Sequence, residues 1–192
     1  VRRVAVHAVL RLSCCFMARH DEIGRMRQNL HMRLAGPGDA PAIGVLARRV
    51  VRRWILPEQP AEAAGPLLAG MSARAIRRKM ADGQRFHLAF VGDVLAGVVA
   101  IREDSHVFQL FVGTRYQGRG IARKLWRRVL TDSVRRAGTR YFTLNAAIGA
   151  VPVYLRLGFE PNASAKVPRS KLVTVPMIYR VRAPRHRHGP LR

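Results

Sequence analysis

Cysteine, lysine and acidic residues are all scarce in this chain. The two cysteines, adjacent at Cys14 and Cys15, cannot build a disulfide framework or a zinc cluster. Such usage fits a reducing, intracellular compartment, so a cytoplasmic location and no metal are expected. No apolar run approaches the roughly 20 residues needed to cross a bilayer, which sets membrane partners aside. Eleven Asp and Glu against 35 Lys and Arg leave a formal net charge of +24, and only four of the basic residues are lysines. Arginine on this scale reads two ways. It holds phosphates well, and it also accumulates wherever a genome is rich in G and C. The arginines are spread along the chain, so the charge argues for an anionic ligand without naming it.

With 192 residues, 48% of them hydrophobic, the chain can bury one good core and is too short for two ordinary domains. Residues 1–29 have a basic start and a short apolar centre, like a signal peptide, but His7 and Arg11 interrupt it and no clear cleavage site follows. They are expected to be a disordered extension or, given the opening Val1, a stretch ahead of the true start. The domain is expected over 30–182, followed by a basic disordered tail over 183–192.

Within the domain the pattern alternates. A strand begins at Leu30, and 36–56 reads as a helix with Asp39 as cap and Pro41 in the first turn. A loop or broken helix, rich in Pro, Ala and Gly, follows. A short helix then starts at Ser72 and stops at Gly83. RFHLAFV and VLAGVVAIR flank Gly92 and Asp93 as a hairpin, and HVFQLFV adds a third strand. Arg119 to Ala137 is the clearest helix, followed by the strand YFTLN, the short helix AVPVYLRLG and a last strand KLVTVPMIYRV. This order predicts an α/β fold in the broad α+β sense: a mixed sheet of about six to seven strands flanked by about four helices.

The stretch VGTRYQGRGIARKLW puts three glycines where a strand ends and a helix begins, and unpaired N–H groups there favour phosphate. A nucleotide P-loop would need Lys and Ser or Thr where Arg119 and Gly120 stand. A dinucleotide fold would need an acid about twenty residues on, and none stands near Arg140 and Tyr141. The remaining reading is the pyrophosphate loop of acyl-CoA-dependent transferases, here Gln117, Gly118, Arg119, Gly120, Ile121 and Ala122.

That loop, together with NAAIGAVPVYLRLGFEP over 145–161, resembles the GNAT superfamily of acyl-CoA-dependent N-acyltransferases, across roughly Leu30 to Arg182. The resemblance implies acetyl-CoA as co-substrate and direct transfer of its acetyl group to a primary amine. It implies that backbone amides of Gln117 to Ala122 hold the pyrophosphate, that the backbone near Phe111 and Val112 bonds the pantetheine arm, and that Tyr154 stands beside the thioester sulfur. Asn145 matches a cofactor-contacting position, whereas Ala146 stands where many relatives carry Ser. His106 falls where some members place a glutamate base, with Glu103 and Asp104 as nearby alternatives. A homodimer is left open.

The chemistry supports these roles. Acyl transfer to an amine requires a neutral amine, a polarised carbonyl and a proton for the departing thiolate. A phenol of pKa about 10, well above a thiol's roughly 8.5, can hydrogen-bond or protonate a CoA thiolate, so Tyr154 is the candidate acid. An imidazole near 6.5 suits a base, so His106 is the candidate for that. The basic face of the glycine-led helix, from Arg123 to Arg136, reads most simply as a solvated surface, its first turn near the CoA 3′-phosphate. No RNA-binding aromatic signature, zinc-finger spacing or helix-turn-helix supports nucleic acid as partner. The alternatives to an enzyme are an acyl-CoA-sensing or basic nucleic-acid-binding module on the same fold. The acceptor pocket is expected from Trp54 to Met80 and the end of the last strand, with the acceptor itself unnamed.

Overall fold

A computed structural model describes residues 30–165 and 172–182, so the expectations for 1–29 and 183–192 lie outside the described residues. Seven strands form one sheet in the order β1-β2-β3-β4-β5-β7-β6. The strands are β1 Leu30–Leu34, β2 Arg85–Val91, β3 Val94–Arg102, β4 His106–Val112, β5 Tyr141–Ala146, β6 Glu160–Pro161 and β7 Val175–Arg180. Five α-helices accompany them among the described residues: α1 Ala40–Trp54, α2 Ala64–Ala69, α3 Ala73–Ala81, α4 Ile121–Ala137 and α5 Val151–Arg156. No helix among the described residues is long and apolar enough to cross a membrane.

The sheet carries a core on each face. On one, Ile43, Leu46, Ala47 and Val51 of α1 and Ile76 of α3 pack against Phe86, Leu88, Val98 and Phe111. On the other, Ile121, Leu125, Trp126 and Val129 of α4 pack against Ala89, Val99, Phe142 and Met177. Period-2 alternation in β2 sends Phe86 and Leu88 to the first core and Ala89 to the second. Trp126 fixes α4 to the C-terminal strands, with its ring 5.0 Å from Phe142, 4.8 Å from Phe159 and 5.2 Å from Tyr179. At the other end of the contact Gly97 admits the start of α4, since a Cβ there would stand 3.0 Å from Leu125 Cδ1 and 3.2 Å from Ile121 Cγ2.

Pairing is antiparallel throughout except between β4 and β5, which are parallel and meet only at His106 opposite Thr143. By contrast β5 and β7 pair over six positions. Beyond His106 the two central strands diverge and open the sheet. A bulge lies just where they part, because Ala100 faces Gln109 while Ile101 faces Val107, leaving Phe108 as the extra residue of β4. Bulges bend and twist a strand away from its neighbour.

The elements fall close to the sequence expectations, with instructive differences. Ser72 caps α3 as expected, accepting from the Ala75 N–H at 3.2 Å. Asp39 does not cap α1 with its side chain. Its carboxylate accepts two bonds of 2.7 Å from Arg33 and one of 2.8 Å from the Gly36 N–H, closing the turn ahead of the helix. A bidentate guanidinium, charge-assisted, outcompetes a helix N–H for the same oxygens. Helix α4 starts at Ile121 and not Arg119, since Gly120 is left-handed at φ +79. The last strand begins at Val175, and the two-residue β6 was not anticipated.

Candidate active site

The divergence of β4 and β5 opens a cavity of about 560 Å³. One wall is the glycine loop. Gly118 and Gly120 adopt φ +74 and +79, a region that L side chains rarely enter, and no atom lies within 4 Å of where a Cβ would sit on either. The loop therefore shows bare backbone to the cavity at the positive end of α4, where the first N–H groups have no intrahelical acceptor. Gln117 braces it by donating its side-chain N–H to the Val112 carbonyl at 3.1 Å. A phosphate group fits such a cradle.

Phe111, Val112, Gln117, Gly118, Gly120, Ile121, Ala122, Asn145 and Tyr154 all line this cavity. Arg119, between the two glycines, stands outside the lining. Tyr154 projects from α5 with its ring edge-on to Phe159 at 5.8 Å. Burial pushes its phenol up to about 12, so the hydroxyl holds its proton and is available as a donor.

His106 sits elsewhere. It lies at the closed end of the cleft, outside the lining, with Nδ1 2.8 Å from the Thr143 hydroxyl. Burial lowers its pKa, and Arg102 adds to the effect while Glu103 opposes it. Asp104 is engaged by Arg136.

The opposite wall comes from the region expected to hold the acceptor, but its individual residues gave no motif in sequence. Val50, Trp54, Ile55, Leu67, Met71 and Phe108 make it apolar. Glu58 is the sole carboxylate among the lining residues, and its Oε2 accepts from the Gly149 N–H at 3.0 Å. Gln59 exchanges two bonds with the Val173 backbone, at 3.0 and 2.8 Å, and so ties the α1–α2 connection to the approach of β7. Trp54 donates to the Thr114 hydroxyl at 3.2 Å and links that wall to the glycine loop. Gln109 also lines the cavity. It is 6% exposed, and its Oε1 has no hydrogen-bond partner among the described residues. A polar residue inside a strand is a usable sequence signal, but only the bulge shows which way it faces.

Residues 56–181 match the acetyltransferase (GNAT) domain family. Among curated proteins none matches the chain. Solved structures share its fold. A GCN5-related N-acetyltransferase of Rhodopseudomonas palustris superposes with a TM-score of 0.67 at 17% identity, covering 79% of this chain and 95% of that one. The PaiA N-acetyltransferase of Thermoplasma acidophilum, in complex with coenzyme A, gives 0.66 at 13% identity, covering 79% and 99%. A spermidine N-acetyltransferase SpeG chimera from Vibrio cholerae gives 0.56 at 18% identity, covering 79% and 95%.

Proposed function

The chain belongs to the GNAT acetyltransferase family, and we propose that it moves an acetyl group from acetyl-CoA directly to the primary amine of a small, largely apolar acceptor. The observation that carries this reading is one cavity holding both the bare glycine loop and a half-buried tyrosine whose phenol is kept protonated well past neutral pH. When bound, acetyl-CoA supplies an acetyl group activated as a thioester. The loop amides from Gln117 to Ala122 anchor its pyrophosphate, and the diverging edge of β4 at Phe111 and Val112 leads the arm inward past Asn145.

The amine nitrogen bonds to the carbonyl carbon as the C–S bond breaks, and Tyr154 gives its proton to the sulfur. Gln109 Oε1 accepts an N–H of the amine and orients its lone pair. The proton that the amine sheds leaves through water. His106, on the same strand, is the base reached by that water and not by contact, and ultimately the phenol is reprotonated from solvent. Glu58 attracts the amine while it is still a cation.

The wall also speaks to the acceptor. One carboxylate in an apolar surface matches a single ammonium on an apolar body. A polyamine such as the spermidine of the SpeG neighbour would need several carboxylates and would approach a chain of net charge +24 against a repulsive field. Thiol release from acetyl-CoA, measured with arylalkylamines, alkylamines, amino acids and spermidine, tests this. Turnover is expected with the arylalkyl or alkyl amines. Turnover with spermidine alone would overturn the acceptor class, and tight CoA binding without turnover on any amine would make the chain an acyl-CoA sensor.

A further inference from the structure

A second cavity, of about 490 Å³, lies between α4 and the outer strands β1 and β2, and shares no lining residue with the first. Its helix side carries Lys124, Arg127, Arg128 and Arg135. Lys124 lies three and four residues before Arg127 and Arg128, and Arg135 follows two turns later past Thr131 and Asp132, so all four share one face running about 16 Å along the helix. Asp132 is the only acid among the described residues of that lining, and Arg85 already bonds it at 2.9 Å. The helix side thus holds four cations against one acid that is already paired, and like charges three and four residues apart repel one another.

The floor is unusual too. His87 is 1% exposed, yet neither ring nitrogen has a hydrogen-bond partner among the described residues, and its Nε2 stands 3.7 Å from Asp132 Oδ2, beyond hydrogen-bond reach. Arg128 Nε, in the same lining, is likewise buried without a partner. Buried donors and acceptors left unmatched lose the hydrogen bonds that water would give them. Burial, together with Arg128, Arg85 and Arg136 against the opposing Asp132, brings the His87 pKa down to about 4. The imidazole is thus neutral near pH 7 and keeps one N–H to donate.

We propose that this cavity is a binding site for a polyphosphate anion, separate from the acetyl-CoA cleft. Cations on a stripe this long match several linked phosphates and exceed the span of a single one. His87 and the Arg128 Nε–H supply buried donors at its floor. The assignment stands independently of the transferase reading, because it uses none of the cleft residues.

Calorimetry on the full chain, saturated with CoA to fill the first cleft, tests it with magnesium-free inorganic tripolyphosphate as probe. Single-site binding is expected, weakened at least tenfold in Arg127→Gln/Arg135→Gln. Both of these side chains are exposed, so the variant should keep its thermal midpoint. A control, Arg49→Gln/Arg52→Gln on the exposed face of α1, removes the same charge elsewhere and should change the affinity less than twofold. ATP in place of tripolyphosphate separates a nucleotide from an inorganic source: tighter binding of ATP assigns a nucleotide, and equal or weaker binding assigns the inorganic chain. Equal losses in variant and control would overturn the site in favour of diffuse charge. Loss of binding under CoA saturation would place the probe on the glycine loop. Binding of a single-stranded oligonucleotide with neither small anion would overturn the proposal in favour of a nucleic-acid surface.

Discussion

Helix α4 presents positive charge in two places, by different means. At its N-terminus the charge is backbone: two left-handed glycines, no side chain in the way, and the unpaired N–H groups of a first turn. Along its flank the charge is side chain: Lys124, Arg127, Arg128 and Arg135 over the buried His87. A site made of backbone leaves a mark in sequence, because glycine is favoured wherever the conformation is left-handed. The flank shows in sequence only as a basic helix face that reads as a solvated surface, since its arginines look like the many others of a +24 chain. They become a cluster only when β2 places a histidine beneath them.

The strongest way to break this contrast is Gly120→Asp. It places a carboxylate where the pyrophosphate is proposed to sit, and a non-glycine residue at φ +79. CoA affinity should fall more than about 100-fold by calorimetry, while tripolyphosphate binding on the flank is retained. Unchanged CoA affinity would remove the loop from the cofactor site.

Within the cleft, Tyr154→Phe keeps the ring against Phe159 and removes the proposed proton donor. General acid catalysis contributes about 10² to 10⁴ in rate, so turnover should drop at least tenfold with CoA affinity nearly constant. Equal turnover would take Tyr154 out of the chemistry. Glu58→Gln should act on acceptor capture and not on the chemical step. About a fivefold to tenfold rise in the acceptor KM is expected, with little change in kcat, as loss of one partly exposed ion pair implies.

On the flank, the depressed His87 gives a pH test. The neutral ring is favoured in the folded state, so the stability it contributes is fully present above about pH 6.5 and is lost as pH falls toward about 4. The loss should reach on the order of 2–3 kcal/mol. Denaturant midpoints measured from pH 7 to pH 4 should therefore fall less steeply in His87→Gln than in the parent. His106 titrates in the same direction in both proteins and cancels from the difference. Parallel slopes would mean that His87 is solvated.

The smallest effect belongs to neither site. Ser72→Ala removes the α3 cap and should cost about 1 kcal/mol of stability, with both ligand affinities unmoved. A shift in CoA affinity would show that α3 reaches the cleft.

Much of this molecule was legible because local rules were enough. The hairpin about Gly92 and Asp93, the Ser72 cap, and the helix that follows Gly120 each follow from a few adjacent residues whose backbone preferences admit one outcome. So was the strand-to-helix junction that carries Gln117 to Gly120. Asp39 shows where local reasoning ends, since its carboxylate is claimed by Arg33, six residues earlier, across a turn.

The sequence by itself determined the alternation of strands and helices, the glycine cradle, and the family to which the chain belongs. Tertiary structure alone decided that β4 and β5 part after one pair of residues, which sets Tyr154 in the cavity and leaves His106 at its closed end. It also decided that Glu58 and Gln109 line the same cavity as the glycine loop, and that His87 lies beneath four cations of α4. The reason is physical. Backbone conformation is governed by near neighbours, whereas a cavity wall is tied together by residues 60 to 114 positions apart, and its register depends on bulges and packing that no single segment encodes.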